Sequence, residues 1–390
     1  MGDDRRRLRV LCTSTGGAGH IGAVAPIALA MRAGGHDVRW AVAPDGGAAV
    51  ASMGFAWTPA GLTTAERRDA AGADIAAVMQ LPMAERRGPL FSALFARVAA
   101  PAMRRDLGPL LDELRPDIVV RETAELAAAA MAAVRSVPLV TVAFSGVLPA
   151  PARPAVINAL QPLWAAEGRG DPAWSELYGD LYVHPFPPSF GQGPETGATR
   201  AVRPSGRRPD ADPPPWLDAL GARMAVYVSA GTEQPSTSFP WRPVVAALGR
   251  LPVDAVATIG PHVDPAALGA IPSNVRVERF VPQAWLLPRA TAVISHGGAG
   301  TVLGAAAHGC TQLVVPLFAD QWENGLAVAD AGCGSVLAPE RRGDDDVDAA
   351  VRDLLDTTAR QDAAARVAAE IAAMPTADDL VPHIELLATA

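Results

Sequence analysis

The sequence lacks lysine altogether, has only three cysteines and contains no long apolar run. Every strongly basic residue is arginine, and beside 36 glycines and 36 prolines this preference reflects genome base composition rather than a function. The net charge of −8 argues against the basic footprint that proteins use to bind nucleic acid or anionic membranes. No stretch approaches the ~18 consecutive apolar residues of a membrane span.

The number and spacing of the three cysteines argue against a domain stabilised by zinc and against one stabilised by disulfides. Cys12, Cys310 and Cys333 are odd in number and widely spaced, so they form neither a zinc pattern nor a disulfide framework, and they fit a reducing compartment. Arg5–Arg7 before an apolar stretch resembles an export signal, but polar residues interrupt that stretch after Cys12. We therefore expect a soluble, cytoplasmic protein.

The size of the chain predicts more than one domain. With 390 residues, 49% of them apolar and 19% charged, the chain is expected to fold as an α/β protein with two cores. A Pro/Gly/Arg-rich stretch, Gly191–Pro215, indicates the boundary. The predicted parts are an N-terminal domain (1–205), a linker (206–216), a C-terminal domain (217–374) and a closing helix (375–390) that packs back on the N-terminal domain.

Strands and helices alternate in the pattern of parallel sheets. The opening reads as strand Leu8–Cys12, turn Gly16–Gly22, helix Ala23–Arg32 and strand Asp37–Val42, which is a βαβ unit. Further strands are predicted at Ile118–Val120, Leu139–Phe144, Ala225–Val228, Ala255–Ile259, Val275–Phe280, Ala292–Ser295, Leu313–Leu317 and Ser335–Leu337. Helices are predicted within Ala73–Leu114 and at Val347–Leu355, Gln361–Ala373 and Ala377–Leu387. Both domains are thus expected to be doubly wound, with the ligand in a cleft between them at the carboxyl ends of the strands.

The most informative segment is Ser295–Thr301, a glycine-rich turn between an apolar strand and a helix. Free amides and the helix dipole at such a turn attract anions, and a histidine and a threonine add donors that suit a diphosphate. Asp320-Gln321, with Asn324, follows the next apolar run and suits the hydroxyls of a sugar. Together they indicate a sugar-nucleotide site.

Two other functions compete with this interpretation. Gly17–Gly22 matches G-x-G-x-x-G and Asp45 follows the second strand, as in an NAD(P)-dependent oxidoreductase. That alternative leaves His296 and Asp320 without a role. A non-catalytic auxiliary protein that assists a partner enzyme is a third possibility, but a protein freed from turnover would not need both His20 and Asp320-Gln321. Asp344–Asp346 is interpreted as a helix start rather than a metal site.

Several of these segments resemble a known family. The chain is similar to the GT-B fold, nucleotide-sugar-dependent glycosyltransferases that decorate natural products in actinobacteria and small molecules in plants. The resemblance rests on Gly19-His20, Gly34–Val38, Phe280–Gln283, His296–Thr301 and Asp320-Gln321 with Asn324. It implies two Rossmann-like domains, of which the N-terminal one binds the acceptor and the C-terminal one binds the nucleotide sugar. The implied reaction transfers a sugar from a dTDP-sugar or UDP-sugar to a small aglycone with inversion, and needs neither a metal nor a further cofactor. It leaves open whether the protein is a homodimer.

The resemblance also implies roles for individual residues. His20 would be the general base, oriented by Glu122 or, as the second choice, Glu125. Phe280 would stack on the pyrimidine and Val281 would read its edge. The full donor-nucleotide set is Gly231, Thr232, Phe280, Val281, Gln283, His296, Gly298, Ala299, Gly300 and Thr301; the donor-sugar pair is Asp320 and Gln321; and the acceptor pocket is Met79, Phe91, Phe95 and Phe144.

The chain departs from the family pattern at three positions. Ala23 stands where a proline is common, and Glu122 stands where the partner acid is usually aspartate. Gly304 replaces a glutamate that bonds the ribose hydroxyls in many users of UDP-sugars. Because glycine offers no acceptor, we expect a 2′-deoxy donor, dTDP-sugar, transferred to an apolar aglycone such as a polyketide.

Thermal unfolding with added nucleotides tests the donor prediction. A ligand at about 100 times its Kd adds roughly 2.7 kcal/mol of stability, which shifts the midpoint by a few degrees. We expect dTDP to stabilise the protein more than UDP does, and NAD and NADP to leave it unchanged. A clear preference for UDP would contradict the role given to Gly304, and stabilisation by NAD or NADP alone would place the ligand at Gly17–Gly22.

Overall fold

A computed structural model of the chain describes residues 6–191, 193, 197–206, 212–219, 225–231, 238–355 and 358–389. They group into two compact units. The first unit consists of Met1–Pro185, Gly193–Val202 and Pro375–Ala390, and the second of Phe186–Gln192 and Arg203–Met374. Residues 207–211 of the predicted linker lie outside the described residues.

The first unit is built on a seven-stranded sheet whose strand pairs are all parallel. The strands are β1 (Arg9–Ser14), β2 (Asp37–Val42), β3 (Ala56–Pro59), β4 (Ile118–Glu122), β5 (Leu139–Val142), β6 (Leu181–His184) and β7 (Thr199–Ala201). Their order is β3-β2-β1-β4-β5-β6-β7. The chain therefore reverses its winding direction between β1 and β4, which is where doubly wound sheets bind ligands.

Helices cover this sheet. They are α1 (Ala18–Ala33), α2 (Gly47–Ser52), α3 (Thr64–Ala70), α4 (Gly72–Val78), α5 (Arg87–Phe91), a π-helical segment (Ser92–Ala99), α6 (Ala100–Leu114), α7 (Ala127–Val134) and α8 (Arg153–Ala166). Short 3₁₀ turns occupy Pro44–Gly46, Met83–Glu85, Ala150–Ala152 and Trp174–Tyr178.

The structure of this unit differs from the sequence analysis in three places. The first helix begins at Ala18 rather than Ala23, because only Gly17 has the positive φ of the turn (111°) and its carbonyl accepts from the Ile21 amide. Pro149–Pro188, where no helix or strand was predicted, contains α8 and β6. The boundary stretch Gly191–Pro215 contains β7, which pairs with β6.

The second unit repeats the plan with six parallel strands in the order β10-β9-β8-β11-β12-β13. They are β8 (Ala225–Ser229), β9 (Asp254–Thr258), β10 (Val275–Glu278), β11 (Ala292–Ser295), β12 (Thr311–Val314) and β13 (Gly334–Val336). Its helices are α9 (Trp241–Gly249), α10 (Gln283–Leu286), α11 (Ala299–Ala307), α12 (Gln321–Asp330), α13 (Asp344–Leu355) and α14 (Thr358–Ala373). Asp344–Asp346 form the first turn of α13.

The last helix, α15 (Ala377–Leu387), belongs to the first unit and packs against α1. Leu380, Val381 and Ile384 are buried in the same apolar cluster as the inner face of α1. A polar contact adds to this packing. The Leu8 amide donates to Nδ1 of His36, which leaves the proton on Nε2, 3.0 Å from Glu385 Oε1.

In the described ranges, none of the helices combines the length and the apolar character that a bilayer crossing demands. All three cysteines are free and buried, and burial raises the pKa of each thiol.

Replacing Ile384 by alanine tests the contribution of α15. Ile384 is completely buried, so we expect a loss of about 2–5 kcal/mol in the free energy of unfolding, measured by urea titration. Leu386→Ala on the same helix is the matched control, because Leu386 is 68% exposed and its truncation should change stability by about 0.5 kcal/mol or less. Equal losses for the two variants would contradict the packing of α15.

Candidate active site

The first candidate site lies at the switch point of the first sheet. β1 and β4 are neighbours there, with Thr13 opposite Arg121, and both strands end in polar residues. After β1 the chain turns at Gly17 and enters α1, so that His20 is in the first turn of the helix rather than at a loop tip. Glu122 is the last residue of β4. The topology therefore brings a histidine and a carboxylate to one edge of the sheet.

His20 and Glu122 are in contact. Nδ1 of His20 lies 3.2 Å from Oε1 of Glu122, which is an ion-pair distance without the alignment of a full hydrogen bond. The Glu122 side chain is completely buried, whereas 13% of the His20 side chain is exposed. With Nδ1 turned to the carboxylate, Nε2 is the nitrogen that can accept a proton from a substrate.

The turn before α1 supplies donors to the buried carboxylate. Oε1 of Glu122 accepts from both the amide (3.1 Å) and the hydroxyl (2.9 Å) of Thr15, and Oε2 accepts from the Ala124 amide. Burial by itself raises the pKa of Glu122, but the His20 charge and these hydrogen bonds outweigh it and lower the pKa to about 2. Thr15 was not predicted, although its position in a polar turn directly after a strand is a usable signal.

Glu125 lies in a different environment. Oε2 of its buried carboxylate accepts from the Thr13 hydroxyl at 2.6 Å, while Oε1 accepts from the amides of Ala127 and Ala128. Glu125 therefore satisfies free amides in the first turn of α7. Burial raises the pKa of Glu125 despite these hydrogen bonds.

Three of the four predicted acceptor-pocket residues form one aromatic cluster with His20. The His20 ring lies 4.3 Å from Phe144 and 5.4 Å from Phe95, and Phe95 lies 5.0 Å from Phe91. Phe95 belongs to the π-helical segment, a distortion that is frequent at functional sites. Met79 has a different position, at the end of α4 with 36% of its surface exposed.

The second candidate site lies at the switch point of the second sheet, where β8 and β11 pair with Ser229 opposite Ser295. His296 follows β11 and its amide donates to the Ser229 carbonyl. Its imidazole lies between two glycines: a Cβ added to Gly231 or Gly298 would stand 2.8 or 2.7 Å from Nε2. Desolvation lowers the pKa of His296, so this side chain favours the neutral form.

Helix α11 starts directly beside this imidazole. Gly298 precedes it as N-cap without a side-chain cap, so the first amides of the helix, at Ala299 and Gly300, have no side-chain acceptor and are available to a ligand. The Thr301 hydroxyl accepts from Nε2 of Gln283 at 2.8 Å. Contacts therefore join Gly231 and Gly298 to His296, and Gln283 to Thr301, within one unit. Thr232 lies outside the described residues.

Gly304 lies one turn further along α11. A Cβ added there would stand 2.8 Å from a methyl group of Leu287 and 3.9 Å from Oε1 of Gln283. The space beside this glycine is thus bounded by an apolar group rather than by an acid.

Asp320 and Gln321 lie at the beginning of α12. Oδ2 of Asp320 accepts from Nδ2 of Asn324 at 2.9 Å, and the same amide group donates to the Gly297 carbonyl. Oε1 of Gln321 accepts from the amides of Leu317 and Phe318, so only its NH₂ group is available to a ligand. The sequence analysis did not predict that Gln321 accepts from these two amides, because the contact depends on how the chain turns between Leu317 and Gln321.

Phe280 and Val281 have opposite exposures. Phe280 is 66% exposed, the largest such value among the large exposed apolar side chains apart from Leu386, whereas Val281 is buried in the second unit. An exposed aromatic face beside the amide-rich turn of a parallel sheet is suited to stacking on a planar base.

Comparison with known proteins identifies the family. The erythromycin biosynthesis protein CIII-like, C-terminal domain matches residues 242–387. The chain is 32% identical to the L-demethylnoviosyl transferase of Streptomyces niveus over 338 residues, covering 85% of each chain. It is 30% identical to the TDP-daunosamine transferase DnrS of Streptomyces peucetius, with 97% of both chains covered. The crystal structure of the glycosyltransferase SnogD from Streptomyces nogalater matches 98% of this chain and 100% of that chain, with a TM-score of 0.77 and 26% identity.

Two parallel-sheet α/β units with these neighbours define the GT-B class of glycosyltransferases. Within that class, the chain belongs to the family of actinobacterial natural-product glycosyltransferases. The family and fold class predicted from the motifs are confirmed. The oxidoreductase alternative is wrong, because the relatives that show the family are glycosyltransferases and the fold matches glycosyltransferase structures.

Replacing Glu122 by glutamine tests the ionised, buried carboxylate. Lowering a carboxyl pKa from 4.5 to about 2 stabilises the folded state on the order of 3 kcal/mol at neutral pH. This stabilisation is complete above pH 4.5 and is lost as the pH falls towards 2. We expect Glu122→Gln to unfold at lower urea concentration than the wild type at pH 7, and the gap to narrow below pH 4.5.

Glu113→Gln provides the control, because Glu113 is exposed on α6. It should follow the wild type at every pH. A gap for Glu122→Gln that stays constant between pH 7 and pH 3 would show that the carboxylate charge does not stabilise the fold.

Proposed function

We propose that the protein transfers a deoxysugar from a dTDP-sugar to a hydroxyl of an apolar natural-product aglycone, with inversion at the anomeric carbon and His20 as general base. The contact between His20 and the buried, ionised Glu122 carries this proposal. Membership in a glycosyltransferase family supports the reaction type, and the contact supports the mechanism.

The chemistry follows from the pair of side chains. A hydroxyl becomes a competent nucleophile when a neutral imidazole removes its proton during attack on the sugar carbon. The negative charge of Glu122 keeps the proton of the resting ring on Nδ1 and stabilises the imidazolium that forms. The acceptor oxygen then bonds to the anomeric carbon as the bond to the diphosphate breaks. One direct displacement of this kind inverts the configuration.

On the donor side, the leaving diphosphate is assigned to His296 and to the first amides of α11. Preorganised donors of this kind stabilise the charge that develops on the leaving group without reorganising during the reaction. Phe280 is assigned to the pyrimidine, and Asp320 with the Gln321 amide group to the sugar hydroxyls. The roles of Gly231, Thr232, Val281 and Gln283 remain the expectations stated for the donor nucleotide.

Two observations support dTDP rather than UDP. The position beside Gly304 is occupied by a Leu287 methyl group, which cannot accept a hydrogen bond from a ribose hydroxyl. The daunosamine transferase that is 30% identical to this chain carries TDP in its name. A 2′-deoxyribose is therefore the better fit to this side of the proposed site.

On the acceptor side, the cluster of Phe91, Phe95 and Phe144 gives His20 an apolar wall. Apolar walls with few polar groups suit flat or greasy ligands, and a polyketide has that character. Arg67 lies over the Phe95 ring, with its guanidinium carbon 4.9 Å from the centroid, and holds the ring in place.

His20→Ala tests the proposal. With a dTDP-deoxysugar and hydroxylated aromatic polyketides, we expect turnover, measured as dTDP release, to fall by roughly 10²–10⁴-fold. The affinity for dTDP should not change, since its assigned residues lie in the other unit. The anomeric coupling constant of the product, measured by NMR, reports inversion or retention.

His383→Ala is the matched control, because His383 is exposed on α15. It should keep wild-type turnover. Undiminished turnover in His20→Ala, or a product that retains the donor configuration, would overturn the mechanism.

A further inference from the structure

The first unit contains a cavity of about 30 Å³ that borders the aromatic cluster at Phe91. Its partly exposed lining residues include the aromatic side chains of Phe91 and Trp174. Its interior is lined by Arg87, Arg121 and Tyr182, which are 7%, 1% and 2% exposed. Two arginines buried to this degree need either a counter-ion or a ligand.

Neither arginine has a counter-ion in contact. Arg87 donates to the Ser145 hydroxyl and to the carbonyls of Gly146 and Val147. Arg121 donates to backbone carbonyls alone, among them that of Glu125 at 2.7 Å. Within the described ranges, no carboxylate oxygen lies within 4.0 Å of either guanidinium group.

Two residues that line the cavity carry polar groups without a hydrogen-bond partner among the described residues. Nε of Arg121 and the Thr123 hydroxyl are buried without a hydrogen-bond partner among the described residues. Burial raises the pKa of Tyr182 while the charges of Arg87 and Arg121 oppose that rise, so its hydroxyl lies in the field of both guanidinium groups. A buried polar group without a partner costs about 1–3 kcal/mol, and a ligand that supplies acceptors removes that cost.

The nearby acids are engaged elsewhere. Glu122 contacts His20 and Thr15, and Glu125 contacts Thr13 and the first amides of α7. Both carboxylates act on Arg121 only through space, and burial still lowers the pKa of this guanidinium. The cavity therefore presents two guanidinium groups whose printed acceptors are neutral carbonyl and hydroxyl oxygens, with no carboxylate in contact among the described residues.

We propose that this cavity binds a carboxylate-sized anion between Arg87 and Arg121, with Tyr182 as a further donor. A water needs about 10–15 Å³ of such space, so the cavity holds on the order of two atoms of that size, which matches the two oxygens of a carboxylate. The anion is either a free ion or an acidic group of the acceptor. The second source rests on the proposed function, because Phe91 belongs both to the cavity wall and to the cluster around His20.

Formate is the first probe. Thermal unfolding is followed while sodium formate replaces sodium gluconate, whose anion is too large for the cavity, at constant ionic strength. We expect a saturable rise of the midpoint for the wild type and no rise for Arg87→Gln. Arg104→Gln is the control: Arg104 is a partly buried arginine of the same unit, paired with Glu167 at 2.6 Å, and its loss should leave the formate effect intact.

Two more conservative variants test the site even where Arg87→Gln does not fold. Tyr182→Phe removes one hydroxyl and should weaken formate binding while the protein stays folded. Arg87→Lys keeps the charge and should retain part of the effect. No formate effect in the wild type, or the same effect in wild type and Arg87→Gln, overturns the proposal.

A hydroxy acid and its ester identify the source of the anion. We expect 6-hydroxy-2-naphthoate to bind the wild type more tightly than its methyl ester, and Arg87→Gln to weaken the acid roughly 10-fold or more with little effect on the ester. That result assigns the site to an acidic acceptor. Equal binding of acid and ester, together with a formate effect that depends on Arg87, assigns it to a free anion.

These measurements need neither donor nor turnover. A negative result for the anion site therefore does not bear on the proposed transfer reaction. Likewise, unchanged turnover in His20→Ala does not bear on the proposal that the cavity binds an anion.

Discussion

The buried carboxylate of Glu122 is the constraint on which the first unit depends. A fully buried charge is tolerated only when hydrogen bonds and an opposite charge compensate for its lost hydration. Glu122 obtains these from Thr15, Ala124 and His20. Because these partners lie in the turns after β1 and β4, one side chain fixes both turns and, with them, the start of α1 and the orientation of the histidine.

The second unit also fixes the position of a histidine, but by a different interaction. Among the described residues, no buried carboxylate contacts His296; instead, the absence of side chains at Gly231 and Gly298 lets the backbone approach its ring. Gly297 shows the same constraint, since its φ is 90° and a Cβ there would stand 2.5 Å from Val314. The glycines that make this segment conspicuous in the sequence are thus required by contact with their neighbours, in addition to any role in binding phosphate.

Sequence reasoning succeeded where the apolar pattern and the chain topology agree. The bounds of β2, β11 and α15 were predicted to the residue. It failed where local composition opposes the structure. No helix was predicted at α8, which carries Pro154 in its first turn, where proline is tolerated, and Pro162 in its interior, where proline removes a helical hydrogen bond.

Candidate residues could be named from the sequence, but their geometry could not. Motifs named His20, His296 and Asp320, and the strand end ranked Glu122 before Glu125, but only the turn after β4 shows which carboxylate contacts the histidine. Arg121 was not among the candidates, because it lies in an apolar strand, where a buried arginine is rare and has no sequence pattern of its own.

The return of α15 to the first unit has a consequence during synthesis. The face of α1 that packs against α15 is made among the first 33 residues, but α15 ends only at Leu387. At about 5–20 residues per second, a ribosome needs on the order of 20–80 s to produce that partner. Throughout this time the nascent first unit exposes an apolar groove, so chaperone binding should depend on translation speed and cease once α15 has been released.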